Sequence, residues 1–210
     1  MLSLLCVIAA YLIGSISFAI VASRIFGLPD PRSYGSGNPG ATNVLRSGRK
    51  AAALVTLLGD AAKGLVTILG VRYLAPALSF AEVTVAACAV AVFLGHLYPV
   101  YFRFKGGKGV ATALGVLLGL DAWIALVGVA VFALVAVVSR YVSLASVVTA
   151  AVLIVVAPVQ LGLTPIAAAI AIIAVLVIWR HRGNLARLVS GTESKLGARG
   201  NETPPADRAA

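Results

Sequence analysis

Apolar runs as long as a bilayer is thick recur along this chain, and they limit what it can fold into more than any other feature. A helix crossing the hydrocarbon core needs about 20 apolar residues, with a usual range of about 17–25. Runs of this kind occupy 2–22, 51–71, 81–99, 122–138, 142–160 and 164–179. A shorter run, 109–120, follows a glycine-rich segment and reads as a short tilted helix or a re-entrant-like one whose entry is buried in protein. The composition agrees: 60% of the 210 residues are hydrophobic and 11% are charged, against about 25% charged in soluble domains. The expected fold is an all-α integral membrane protein with about seven transmembrane helices.

The basic residues orient those helices. With the N-terminus outside, the inner segments are 23–50, 100–108, 139–141 and 180–210, and they hold 15 of the 17 Lys and Arg. The outer segments hold only Arg72, and Lys63 lies within the second span. If 109–120 did not cross, the later loops would change sides and the bias would collapse. The positive-inside rule therefore favours seven crossings, N-terminus outside and C-terminus cytoplasmic. The first charge, Arg24, comes after the first apolar stretch, the pattern of a retained helix rather than a cleaved signal peptide. The net charge of +10 sits between apolar runs with few aromatics among it, which points to anionic headgroups or phosphorylated substrates and not to nucleic acid. Residues 1–197 read as a single membrane-embedded domain, and 198–210, without apolar periodicity, as a disordered cytoplasmic tail. Cys6 and Cys88 fall inside apolar runs and read as core residues.

Four inner segments carry polar chemistry. The first, Ser33 to Arg46, is dense in Gly, Asn, Ser and Thr and is longer than a connection needs to be. Its glycines can turn backbone amides toward an anion; Ser36, Asn38, Thr42 and Asn43 add neutral donors; Arg46 offers a planar fork for phosphate. The second contains Gly106-Gly107-Lys108-Gly109 just before the 109–120 run. A glycine turn at a helix N-terminus presents unpaired N–H groups, and Lys108 adds a full charge, although the spacing is not that of a nucleotide-binding loop. In the third, Ser143 and Ser146 are three apart and share a helical face, an arrangement that also suits plain helix packing. In the fourth, His181 and Asn184 are three apart among basic residues that would by themselves serve as a stop-transfer anchor. Solvated turns and a basic membrane anchor remain the alternatives for the first two segments.

Asp60 and Lys63 lie three apart inside the second span, so a structural ion pair and a direct contact with substrate are both open. No Cys/His cluster with metal-ligand spacing and no GxSxG elbow occurs, so neither a metal nor a cofactor is expected.

Taken in order, GSGNPGATNVLR, GHLYPVYFRFKGGKGVAT, RYVSLAS and HRGNLARLVSGTESKLG resemble the bacterial acyl-phosphate:glycerol-3-phosphate acyltransferases, the PlsY family. The likeness runs from about residue 1 to residue 197 with apolar segments between the motifs. It implies transfer of a fatty acyl group from acyl phosphate to the 1-hydroxyl of glycerol-3-phosphate, giving lysophosphatidic acid and phosphate in phospholipid biosynthesis. It also implies no metal, no acyl-CoA or acyl-carrier protein as direct donor, a monomer in the bacterial cytoplasmic (inner) membrane, and a site facing the cytoplasm. A partner enzyme that produces the acyl phosphate fits the same scheme. The residues that match the family's site are Ser36, Arg46, Lys108, Ser146, His181 and Asn184, with His181, Asn184, Lys108 and Ser36 in the catalytic set. Arg46, Ser146, Ser143, Asn38, Thr42, Asn43, Gly106, Gly107 and Gly109 are then substrate-binding or loop-forming positions. The donor's own phosphate is favoured over His181 as proton acceptor.

Two other classes compete. A transporter of a phosphorylated metabolite would use the same cations, but near the bilayer midplane and commonly within repeated halves, which the sequence does not display. A lipid phosphatase would need a histidine nucleophile with an acidic partner, and the sequence shows none beside His96 or His181.

Overall fold

The computed structural model describes residues 1–197, and the expected disordered tail at 198–210 lies outside them. Among the described residues every regular element is a helix. The elements are α1 (Leu2–Gly14), α2 (Phe18–Ile25), α3 (Ala41–Leu45), α4 (Lys50–Leu74), α5 (Glu82–Leu97), α6 (Val110–Leu120), α7 (Ala122–Ser139), α8 (Val142–Leu161), α9 (Pro165–Arg180) and α10 (Arg182–Val189), with a 3-10 turn at Val100–Phe102.

Four helices are long and apolar enough to cross a bilayer, or six if each of two bent pairs counts as one span. The run at 2–22, expected as one helix, is two: α1 and α2 meet at 40° across Ser15–Ser17. Polar partners make the break tolerable. Ser15 Oγ donates to the Tyr11 carbonyl at 2.9 Å, and the Ile16 carbonyl accepts from Lys63 Nζ at 2.7 Å. Freed backbone groups at membrane depth need such partners. The other bent pair is α9 and α10, at 51°. The expected short helix is α6, whose 11 residues rise only about 17 Å at 1.5 Å each.

Small residues let the helices close on one another. A Cβ on Gly64 would meet the backbone carbonyl of Thr112, and one on Gly115 would meet that of Ala61, so α4 and α6 approach reciprocally. Gly14 against Val92 and Gly95 against Tyr11 do the same for α1 and α5. This is the packing that membranes favour, where burial gains little and close backbone approach gains dispersion. α5 lies at the centre, with Cys88, Val92, Phe93 and Leu97 fully buried. The outward Val137, Val138 and Val159 are 78–81% exposed, an apolar surface suited to lipid. Arg72 donates to the Gly119 and Leu120 carbonyls at 2.8 and 2.9 Å and so caps the C-terminus of α6. Asp121 caps α7 through Ile124 N at 2.8 Å, and Thr164 caps α9.

The ion pair within the second span is buried and engaged by the α1–α2 break and by α5. Lys63 Nζ lies 2.9 Å from Asp60 Oδ1, 2.7 Å from the Ile16 carbonyl and 3.0 Å from His96 Nδ1. An ammonium can only donate: the Ile16 carbonyl and His96 Nδ1 accept from it, while Asp60 Oδ1 stands at ion-pair distance. His96 therefore accepts at Nδ1 and carries its proton on Nε2. Its ring also lies 3.5 Å from Asp60, so one histidine does have an acidic neighbour. The sequence hid this because Asp60 is 36 residues away on another helix.

Candidate active site

The four polar segments meet at one end of the bundle. The glycine turn 106–109 joins α5 to α6 and is fixed sterically: a Cβ on Gly106 would strike the His96 and Leu97 carbonyls, and one on Gly107 the His96 ring. Gly109 holds φ +84°, a left-handed value that side chains resist, and stands as N-cap of α6. The Gly107 N–H donates to the His96 carbonyl at 3.2 Å, so it is not free for a ligand. Pro39 O lies 3.0 Å from the Cβ position of Gly107, which brings the first segment against the turn.

Lys108, half-buried at the end of this turn, donates to Asn184 Oδ1 on α10. Asn184 Nδ2 in turn donates to Glu193 Oε1 at 2.6 Å. The same carboxylate oxygen accepts from Ser143 Oγ at 2.7 Å, and Glu193 Oε2 accepts from Arg187 Nε at 2.8 Å. The network assigns the Asn184 amide: its oxygen faces the ammonium and its nitrogen the carboxylate. Glu193 was absent from the expected site residues, yet it joins α8, α10 and Lys108. The only signal in the sequence was an acid within a basic run. Burial raises the Glu193 pKa, but the hydrogen bonds from Asn184, Ser143 and Arg187 outweigh it and hold the carboxyl below its ordinary value.

Burial pushes the Lys108 ammonium down to about 8, and the Arg187, Arg180 and Arg46 charges add to this while Glu193 opposes it. A bound dianion would reverse that balance. His181 is buried, and its Nδ1 donates to the Val177 carbonyl at 2.8 Å. Because a carbonyl can only accept, the neutral ring keeps its lone pair on Nε2. Burial lowers its pKa to about 4; the Val177 bond opposes this, and Lys108, ahead of Arg180, adds to it. Arg180 and Arg182 flank His181 in the chain, and of these two Arg180 contributes to the lowering. Arg182 instead lies over the Trp179 ring at 4.4 Å.

The remaining expected residues divide into free and engaged. Ser36, Thr42 and Arg46 are exposed, and Arg46 is near enough to act on Lys108. Asn38 is half-buried. Asn43 is buried and engaged by its own loop: Oδ1 accepts from Ser36 N at 2.9 Å, and Nδ2 donates to the Pro31 and Tyr34 carbonyls at 2.7 and 3.2 Å. Ser146 donates to Val142 O at 2.8 Å, which leaves its lone pairs available. A cleft of about 500 Å³ opens beside the turn between the first two segments, with Arg32, Arg103 and Lys105 on its walls. The arrangement brings a lysine, arginines and neutral donors together beside one buried imidazole with an unshared lone pair, the chemistry that suits an anion.

The family profile described as Glycerol-3-phosphate acyltransferase matches residues 4–191. The chain is 53% identical over 199 residues to a glycerol-3-phosphate acyltransferase of Thiobacillus denitrificans, covering 95% of this chain and 100% of that one. It is 56% identical over 194 residues to one of Ralstonia pickettii, with 90% and 92% covered. Among solved structures it is similar to PlsY, described as an integral membrane glycerol 3-phosphate acyltransferase, in its glycerol 3-phosphate form. The TM-score is 0.86 at 37% identity, over 94% of this chain and 96% of that one. The lysophosphatidic acid form of that protein gives a TM-score of 0.84 at 36% identity, with the same coverage. The chain belongs to the glycerol-3-phosphate acyltransferase family.

Proposed function

We propose that this protein transfers a fatty acyl group from acyl phosphate to the 1-hydroxyl of glycerol-3-phosphate, giving lysophosphatidic acid and inorganic phosphate. The observation that carries the reading is the Lys108–Asn184–Glu193 chain of hydrogen bonds beside Arg46 and the buried His181. Both substrates are phosphates, so the groups that meet them are cations and neutral donors, while the Glu193 carboxylate is taken up by Asn184, Ser143 and Arg187. The family resemblance supports acyl phosphate as the donor over acyl-CoA or acyl-carrier protein.

The chemistry follows from these groups. Lys108 and Arg46 hold phosphate oxygens as charges. The neutral His181 accepts a hydrogen bond at Nε2 from the neighbouring 2-hydroxyl and so holds the 1-hydroxyl toward the acyl carbonyl. The hydroxyl oxygen bonds to the carbonyl carbon, the bond to the donor phosphate breaks, and the departing phosphate takes the hydroxyl proton. An imidazole with a pKa of about 4 is a weak base for that proton, whereas the phosphate gains basicity as it leaves. Positioning and charge stabilisation then supply the catalysis, because the donor is already an activated anhydride.

The same reading places residues 1–197 as one domain with seven crossings in the bacterial inner membrane, the site toward the cytoplasm. The protein acts as a monomer supplied by an acyl-phosphate-producing enzyme. The test is an acyl-transfer assay of purified protein in EDTA, with radiolabelled glycerol-3-phosphate and acyl phosphate, acyl-CoA or acyl-carrier protein as donor. Label entering lipid only with acyl phosphate supports the proposal. Transport of label into vesicles without conversion would instead support a carrier.

A further inference from the structure

We infer that Arg180 is a positioning residue that fixes the direction of Lys108; its kinetic consequence rests on the acyltransferase reading above. The Arg180 guanidinium donates to two consecutive carbonyls of the glycine turn, Nε to Gly107 O at 3.1 Å and one terminal nitrogen to Gly106 O at 3.0 Å. From the opposite side the turn is held by the His96 carbonyl, which accepts from Gly107 N at 3.2 Å. The turn is thus gripped between the ends of α5 and α9, one residue before Lys108.

Three features separate this grip from ordinary surface pairing. Arg180 is half-buried, and among the described residues no carboxylate pairs with it. Its side-chain hydrogen bonds go to the turn, and its guanidinium lies 5.8 Å from the Tyr98 ring and 6.0 Å from the Trp179 ring. The glycines it grips have no room for a Cβ, so the turn cannot shift toward His96 and α5 to compensate.

The geometry suits the chemistry. A carbonyl aimed at a phosphate would repel it. Arg180 draws both carbonyl oxygens onto a cation, and the following Lys108 is left to reach Asn184. A planar fork serves two neighbouring acceptors at once; an ammonium is a point charge and cannot hold both in one plane. Arg180 is also joined directly to His181, so a single backbone position ties the lysine turn to the imidazole.

The test is a double-mutant cycle. kcat and KM for glycerol-3-phosphate are measured for the wild type, Arg180→Gln, Arg180→Lys, Lys108→Ala and the Arg180→Gln/Lys108→Ala double variant. Arg180→Gln should lower kcat by about 10²-fold, the scale of a misplacement near 1 Å, and Arg180→Lys should restore only part of it. In the Lys108→Ala background the same change should stay within about twofold. A full, additive loss there would overturn the inference. So would a raised KM with unchanged kcat, the mark of direct substrate binding. Backbone amide exchange across 104–112 gives a readout that does not depend on turnover. It should speed up in Arg180→Gln and Arg180→Lys while exchange in α4 and α8 stays at wild-type rates, and unchanged protection of 104–112 in either variant would refute the clamp. A wild type that transfers no acyl group would refute the proposed function, and the exchange result would still decide the grip.

Discussion

Lys63 donates to the carbonyl oxygen of Ile16 at 2.7 Å, and that carbonyl lies at the break between α1 and α2. A cation on the longest helix thus occupies a backbone acceptor freed where another helix stops. His96 Nδ1 lies 3.0 Å and Asp60 Oδ1 2.9 Å from the same ammonium.

Removing this ammonium should destabilise the protein without touching substrate. Lys63→Met would leave the Asp60 carboxylate buried and unpaired, a change that costs about 3–5 kcal/mol in comparable sites. The thermal midpoint in detergent should fall by many degrees, and Lys63→Met/Asp60→Leu should recover part of the loss. Unchanged thermal stability with activity abolished would mean that Lys63 meets substrate instead.

Lys108→Ala should lower kcat/KM by about 10²–10³, the usual effect of removing one preorganised electrostatic group, while the variant still inserts and folds. Charge on Lys108 is present below its pKa, which burial places at about 8. Binding of phosphate by the free enzyme should therefore weaken as pH rises through about 8, and kcat/KM should show a basic limb there. In kcat that limb should move to higher pH, because bound phosphate stabilises the ammonium. A flat kcat/KM from pH 7 to 9.5 would contradict the role.

Glu193 holds Asn184 and Ser143 through one oxygen and Arg187 through the other. Glu193→Ala should cost roughly ten- to a hundredfold in kcat/KM, about one to two hydrogen bonds to a charged group. Glu193→Gln should fall between Ala and wild type, since its oxygen can still accept from Asn184 and Ser143 while its amide faces the Arg187 donor. Equal activity in all three proteins would remove Glu193 from the site.

The orientation can be checked at two exposed positions. Lys105→Cys should be labelled by an impermeant thiol reagent only from the cytoplasmic side. Leu163→Cys, in the α8–α9 turn where the side chain is 98% exposed, should be labelled only from outside. The reverse pattern would invert the topology. These assays use a background in which Cys6 and Cys88 are replaced by Ala.

Much of this architecture was legible because membrane helices announce themselves locally. Run length, glycine turns and i, i+3 spacing located most helices, the Lys108 turn and the His181–Asn184 face. What the sequence concealed depends on contacts across the fold. The break at Ser15–Ser17 occurs inside an apolar run, and its compensation comes from Lys63, 47 residues away. Glu193 becomes a site residue only when α10 folds back against α8. Asn43 looked like a donor for substrate, but its amide is consumed by Pro31, Tyr34 and Ser36. Composition cannot distinguish a polar side chain that builds a loop from one that the loop presents.

His181 is neutral at working pH, with Nδ1–H fixed on Val177 O and a pKa near 4, chiefly because it is buried. Its folded-state value is depressed, so no His181 titration should be seen between pH 5 and 8 in the free enzyme. Glycerol-3-phosphate itself titrates near pH 6, as phosphate monoesters do, so an acid limb there belongs to the substrate. His181→Gln keeps an amide oxygen that can accept the hydroxyl but cannot act as a base. That variant should retain measurable turnover, with its limb near pH 6 unchanged. General-base catalysis would instead be indicated by complete loss of turnover with glycerol-3-phosphate binding intact, alongside a wild-type kcat profile titrating near pH 6–7 that persists with a substrate analogue lacking an ionisation there.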